Sequence, residues 1–218
     1  MDDGTGADRG WRGSRDGWLD AAQAALIEGG VDAVKIQPLA QRLRLSRTSF
    51  YWFFKDRAAL LDALRARWRD ATTAPLVAAA GAYAETATEA VLNVIACFLS
   101  PRDFDAGFEF AVRSWALQDA ETRAALHRAD TERLAALDAM LRRWGCSEAE
   151  ADVRARTVYL AQVGYIAMQT EEPLEVRLAR IPHYAAIFSG RAPTESELAR
   201  FEAQVRARQP EAVGSDAA

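Results

Sequence analysis

The densest run of side chains able to do chemistry is SRTSFYWFFKD, residues 46–56. It sets an arginine and three hydroxyls before five consecutive aromatics, Phe50 to Phe54, and closes with Lys55 and Asp56. On a helix, successive residues rotate by about 100°. Phe50 and Phe54 therefore share one face, which Leu45 can join. Thr48, Ser49 and Trp52 lie opposite, flanked by Arg47, Tyr51 and Phe53. Hydroxyls can bond base edges or phosphates, an aromatic edge can press on thymine methyls and sugars, and Arg47 can hold a phosphate or a guanine. The chemistry on offer is nucleic-acid recognition, with two rings as anchor and the rest turned outward. The competing arrangement has Tyr51, Trp52 and Phe53 packed on the rest of the chain.

Other chemistries find little support. The chain has two histidines, His127 in the charged stretch ALHRADTER and His183 after Pro182, and neither belongs to an H-x-x-x-H or C-x-x-C pattern. No P-loop or nucleophile elbow occurs. The glycines at 4, 6, 10 and 13 follow no strand, so they are no dinucleotide fingerprint. Cys97 and Cys146 each sit beside apolar residues and read as reduced, packed thiols. No catalytic residue, metal site or cofactor is expected. The first residues lack a basic and an apolar region, so no secretory leader is expected, and no apolar run reaches the roughly 18–20 residues of a membrane span. A cytoplasmic protein without membrane contact is the expectation.

The elements that must position the aromatic run are helical. Ala, Leu, Arg and Glu dominate the 218 residues, and no alternating β-branched run appears. Spacing predicts a first helix over 14–28, stopped by Gly29-Gly30. A second covers about 36–43 with Pro38 in its first turn, and a third runs from an N-cap at Ser46 to about Phe54. A fourth is opened by Asp56 with Leu60, Leu61 and Leu64 as its stripe. Further helices follow over about 85–99, 104–117, 121–144, 147–170, 176–189 and from 194 onward. Ser147 with Glu150 and Thr194 with Glu197 have capping-box spacing. The fold class is all-α: an N-terminal three-helix helix-turn-helix DNA-binding module joined to a larger helical bundle. The divisions are a flexible tail over 1–13, the module over 14–70, the bundle over 71–208 and a second flexible tail over 209–218.

Charge follows the same division. The net charge of −4 alone argues against a polyanion partner, but residues 9–70 hold twelve Lys/Arg against seven Asp/Glu, whereas residues 71–218 hold fifteen against twenty-one. A basic end on an acidic body points that end at nucleic acid.

Residues 18–61, WLDAAQAALIEGGVDAVKIQPLAQRLRLSRTSFYWFFKDRAALL, resemble the N-terminal DNA-binding region of the TetR family of transcriptional regulators. The resemblance rests on LDAA, Gly30, PLAQRL, LSRTSFYWFF and KDRAALL, and covers about the first third of the chain. It implies a homodimer that binds palindromic operator DNA, commonly as a repressor, and is released by a small effector held in the C-terminal helices. By position it implies Thr48, Ser49, Tyr51 and Trp52 as groove-facing residues. Gln37 and Lys55 would hold phosphates, with backbone contacts from Arg12 and Arg15 in the N-terminal arm. Two departures stand out. Arg44 occupies the turn where family members usually carry Gly, and Phe53 stands where a polar residue is common. The alternative is a helical interaction module that keeps this fold but binds a protein.

In the larger part, VRARTVYLAQVGYIAM (153–168) is apolar nearly all round and must be covered on both sides. Val153, Thr157, Leu160, Gly164, Ala167 and Met168 form one side. With Leu198, Phe201 and Val205 of the last helix, they suggest a two-fold four-helix interface; a monomeric bundle that hides both sides is the alternative. Candidate walls of a ligand pocket are Phe98, Phe108, Trp115, Tyr159 and Tyr165, with Asn93, Gln118 and Gln162 as polar handles. Apolar walls with few polar groups describe a binding site and an ordinary core equally well. A ligand there is expected to be hydrophobic or aromatic.

Overall fold

The computed structural model describes residues 13–209; the expected tails, apart from Gly13 and Gln209, and Arg12 lie outside the described residues. The described chain is all-helical: α1 (Arg15–Gly29), a 3₁₀ turn (Val31–Ala33), α2 (Ile36–Leu43), α3 (Arg47–Phe50), α4 (Arg57–Gly81), α5 (Ala87–Leu99), α6 (Ala106–Ala116), α7 (Ala120–Arg143), α8 (Glu148–Ala167), α9 (Leu174–Ser189) and α10 (Glu195–Arg208). None is long and apolar enough to cross a membrane. Local chemistry sets the boundaries. Ser14 accepts from the Gly17 N–H at 3.0 Å, and Thr86 accepts from that of Glu89 at 3.0 Å. Thr194 and Glu197 close a full capping box. At the start of α8 the box is only half made. Ser147 accepts from the Glu150 N–H, while the Glu150 carboxylate takes the Arg154 guanidinium at 2.7 Å.

The chain divides into two compact units, Met1–Asp70 with Gly107–Arg128, and Ala71–Ala106 with Ala129–Ala218. The unit holding the N-terminal helices thus takes in a stretch that helical spacing had assigned to the larger bundle. Trp18, Leu26, Leu39, Phe50, Leu60 and Leu64 make its buried centre. Phe108 and Trp115, expected in a ligand pocket, are core residues of this unit instead. In the same unit, the Trp68 indole donates to the buried Glu109 carboxylate at 2.7 Å, and Arg113 holds the other oxygen at 2.8 Å.

The second unit is built around Val91, Val94, Leu137 and Met140. Arg133 is fully buried there. Its guanidinium donates to Thr73 Oγ1 at 2.9 Å, Thr72 Oγ1 at 2.7 Å and the Tyr159 hydroxyl at 2.8 Å. Tyr159 in turn donates to Asp130 at 2.6 Å. Tyr159, expected as a pocket wall, therefore has its hydroxyl committed to a buried charge. Cys97 and Cys146 are free thiols, and burial pushes Cys97 up to about 12.

The last helix corrects an expectation. Phe201 and Val205 are buried and Leu198 is half-buried, because α10 lays its stripe on α5 of its own chain. Polar ties flank this packing. Thr86 donates to Glu197, Arg200 reaches Glu89 at 3.1 Å, and Arg208 reaches Asp103 at 2.9 Å. Phe201 and Val205 are thus covered within their own chain, which leaves only part of Leu198 for contact with another subunit.

Candidate nucleic-acid interface

The N-terminal unit builds a rigid mount for the aromatic run. Gly30 stops α1 at φ 73°, and its N–H bonds the Leu26 carbonyl. Arg57, at the start of α4, donates to the Val34 carbonyl at 2.6 Å and the Val31 carbonyl at 2.7 Å, tying α4 to the connection before α2. Arg42 and Glu28 join α2 to α1 through two bonds of 2.8 Å. The Arg42 bond holds the Glu28 carboxyl below its ordinary value.

Between α2 and α3 the chain turns through Arg44, which adopts φ 55° and ψ 37°. The Arg44 N–H bonds the Gln41 carbonyl at 3.1 Å, and the Leu45 N–H bonds that of Ala40 at 2.9 Å. This paired pattern is a Schellman C-cap, which wants a left-handed residue and usually takes glycine. The departure noted at Arg44 is thus a real left-handed arginine, at a cost of about 1–2 kcal/mol.

Ser46 then caps α3, accepting from the Ser49 N–H at 3.3 Å. The α-helical part is shorter than spacing predicts and ends at Phe50. Beyond it the backbone tightens into i→i+3 bonds, from Tyr51 to Thr48, Trp52 to Ser49 and Phe53 to Phe50. Tightening of a final turn is common, and here the chain must redirect within six residues to open α4, where the Asp56 carboxylate accepts from the Ala59 N–H at 2.9 Å.

Two rings face inward. Phe50 is buried edge-on against Trp18, centroids 5.3 Å apart, and Phe54 stacks on Phe50 at 5.4 Å. Each such burial stabilises by about 1.5–3 kcal/mol. The outward side carries Arg47, Thr48, Tyr51 at 49 % exposure and Trp52 at 65 %. Arg47 reaches the Tyr51 hydroxyl at 3.4 Å, one turn on. Phe53 is half-buried.

Around this face, Gln37 on the first turn of α2 and Lys55 are exposed, and so is Arg15, whose guanidinium lies 5.3 Å over the Phe54 ring. Ser49 does not belong to the outward face. It is 4 % exposed, and its hydroxyl donates to the Ser46 carbonyl at 2.7 Å. Spacing placed it outward because 100° steps leave it near the boundary; the neighbouring hydroxyl cap draws it in. Arg44, not singled out for DNA, is a further exposed cation in the turn.

Similarity to known proteins falls on this same module. The family model described as bacterial regulatory proteins, tetR family, matches residues 19–64. The similarity to the tetR family is thus shown for this N-terminal domain. Tetracycline repressor protein class D of Escherichia coli is 42% identical over 51 residues, 23% of this chain and 23% of that protein. Tetracycline repressor protein class H of Photobacterium damsela subsp. piscicida matches to the same extent. The alignment thus spans less than a quarter of these curated relatives. A solved structure titled as a possible TetR family transcriptional regulator from Streptomyces coelicolor A3(2) is 21% identical, covers 89% of this chain and 96% of its own, and has a TM-score of 0.38. So low a score lends nothing to the account of the larger unit. The TetR-family domain carries a helix-turn-helix, and α2 and α3 are its two members.

The other expected sites fare unevenly. In the second unit, a cavity of about 50 Å³ is lined by three of the candidate residues, Phe98, Gln162 and Tyr165, together with Ile95, Arg177, Ile181, Tyr184 and Phe188. Asn93 instead donates to the Tyr83 carbonyl at 3.1 Å, and Gln118 is exposed in the other unit. On α8, Val153, Thr157, Leu160, Ala167 and Met168 are exposed, and a Cβ at Gly164 would meet nothing within 4 Å. Val176 and Ile187 on α9 are also exposed, a second apolar stripe that Arg180 and His183 between them concealed in the sequence. Among the described residues no cluster of His, Cys, Asp or Glu could hold a metal.

Proposed function

We infer that the protein is a transcriptional regulator, a repressor, that binds palindromic operator DNA as a homodimer and is released by a small hydrophobic effector. The observation that carries this reading is the two-sided character of residues 47–54. Phenylalanine anchors lie inside, and Arg47, Thr48, Tyr51 and Trp52 lie outside beside Arg15, Gln37, Arg44 and Lys55. Thr48, Tyr51 and Trp52 read bases and thymine methyls, while the cations and Gln37 hold phosphates.

Dimerisation uses the exposed stripe of α8 and, in place of the internally packed α10, that of α9. Leu160 at 60 % exposure and Ile187 at 64 % would otherwise remain wet. A two-fold pair presents two recognition helices about 34–36 Å apart to successive major grooves. The effector acts only by preferring one spacing over the other, since equal affinity for both shifts nothing.

The test is selection of bound sequences from random DNA with the purified protein. A palindrome whose half-site centres lie about one helical turn apart supports the reading. Recovery of unpatterned sequences, together with capture of a partner protein whose binding is insensitive to salt, would instead favour a protein-interaction module.

A further inference from the structure

The cavity of the second unit has walls of Ile95, Phe98, Ile181 and Phe188, yet two polar side chains at its lining have no hydrogen-bond partner among the described residues. Gln162 on α8 is only 8 % exposed, and its amide makes no hydrogen bond among the described residues. Its polar atoms are not sealed from solvent, so on the cavity lining the amide is available to a polar group of a ligand. Arg177 on α9 is half-buried, and its guanidinium lies 5.2 Å over the Tyr165 ring. Among the described residues it has no hydrogen bond and no carboxylate within ion-pair reach. Glu172, the acid that faces it, is engaged by Arg180 at 2.6 and 2.8 Å. Burial pulls the Arg177 guanidinium below its ordinary value, and the fields of Tyr165, Glu172 and Tyr184 only partly oppose this. A charge taken partly out of water without a counterion is expensive, and a planar guanidinium is the group best matched to a carboxylate.

We propose that this cavity binds an apolar monocarboxylate, with the hydrocarbon body among Ile95, Phe98, Ile181 and Phe188 and the carboxylate held by Arg177 and the Gln162 amide. This rests on the reading of the second unit as effector-binding, and names the chemical class of the effector. At about 50 Å³ the cavity is far below the roughly 300 Å³ of a typical ligand site. Binding must therefore part the walls. The Tyr165 and Tyr184 hydroxyls, 3.2 Å apart, are the polar contact that opening would break.

The experiment titrates the full chain by calorimetry with straight-chain carboxylates from hexanoate to dodecanoate, and with the matching primary alcohols. The expected result is saturable binding of the carboxylates, about ten- to a hundred-fold tighter than the alcohols, the worth of a charge-assisted hydrogen bond. Arg177→Gln should erase that preference while leaving the alcohols unchanged, and Arg177→Lys should keep part of it. Unchanged thermal melting of both variants shows that the fold is intact. Equal binding of acid and alcohol, no binding of either, or undiminished acid binding in Arg177→Gln overturns the proposal. Operator release is measured alongside. Carboxylate binding without release leaves the site standing and removes the effector role; release by an alcohol alone leaves the regulator standing and removes this ligand class.

Discussion

Arg44→Gly should make the protein more stable while weakening its hold on DNA, because backbone and side chain pull in opposite directions at this residue. The left-handed backbone at φ 55° costs an L-residue about 1–2 kcal/mol, and glycine relieves it. Glycine also loosens the unfolded chain, which takes back about 0.4–1 kcal/mol. The exposed guanidinium has no hydrogen bond or ion pair among the described residues, so no contact within the fold is lost. The net gain is about 0.5–1 kcal/mol, or roughly 1–4 °C in Tm for a chain of this size. Arg44→Ala is the control that keeps the strained backbone and removes only the charge. Urea or thermal unfolding should rank Gly above Ala and above the wild type. On DNA, both variants should show a log–log salt slope shallower by about 0.9 if Arg44 holds one phosphate. Equal stability of Gly and Ala would refute the assignment of strain to this turn.

Arg133→Ala strips the buried network of Thr72, Thr73, Tyr159 and Asp130 of its donor and should cost about 3–5 kcal/mol; a loss below about 1 kcal/mol in urea unfolding would contradict that network. Gly164→Trp places bulk where a Cβ meets nothing in the same chain. It should halve the mass seen by light scattering without changing Tm in the monomer, and an unaltered mass would remove α8 from the interface. Burial raises the Glu197 carboxyl, but bonds from the Thr194 backbone and from Thr86 outweigh it and hold the group below its ordinary value of 4.5. Its contribution is therefore present above that value and fades as pH falls through the lower folded value. Glu197→Gln should cost about 1 kcal/mol at neutral pH and progressively less below about pH 4; a constant difference at all pH would be inconsistent.

Much of the helical order was legible because periodicity and caps are local. The α2 range, Ile36–Leu43, follows from Pro38 and the stripe of Leu39, Ala40 and Leu43, and the α8 start from Ser147. The inward pair Phe50 and Phe54 followed from spacing alone. What failed was non-local. Phe201 and Val205 form an apolar stripe that any partner could cover, and only tertiary packing shows that α5 covers it. Tyr159 looked like a pocket wall because nothing in the sequence shows that Arg133, 26 residues earlier, lies buried beneath its hydroxyl. The place of Arg177 is not legible in the sequence, since an arginine between apolar residues reads as a solvated helix charge until its neighbours are placed. Ser49 was misplaced by a boundary effect, its hydroxyl drawn back to the Ser46 carbonyl.

The most direct measurement compares wild type, Thr48→Ala, Ser49→Ala and Trp52→Ala on a selected operator and on random duplex over a range of salt. The wild type should prefer the operator. Trp52→Ala should lose that preference by at least about tenfold, Thr48→Ala should reduce it, and Ser49→Ala should leave it intact. All four should keep the same salt slope. Undiminished operator preference in Trp52→Ala would mean that the exposed side of residues 47–54 does not read DNA.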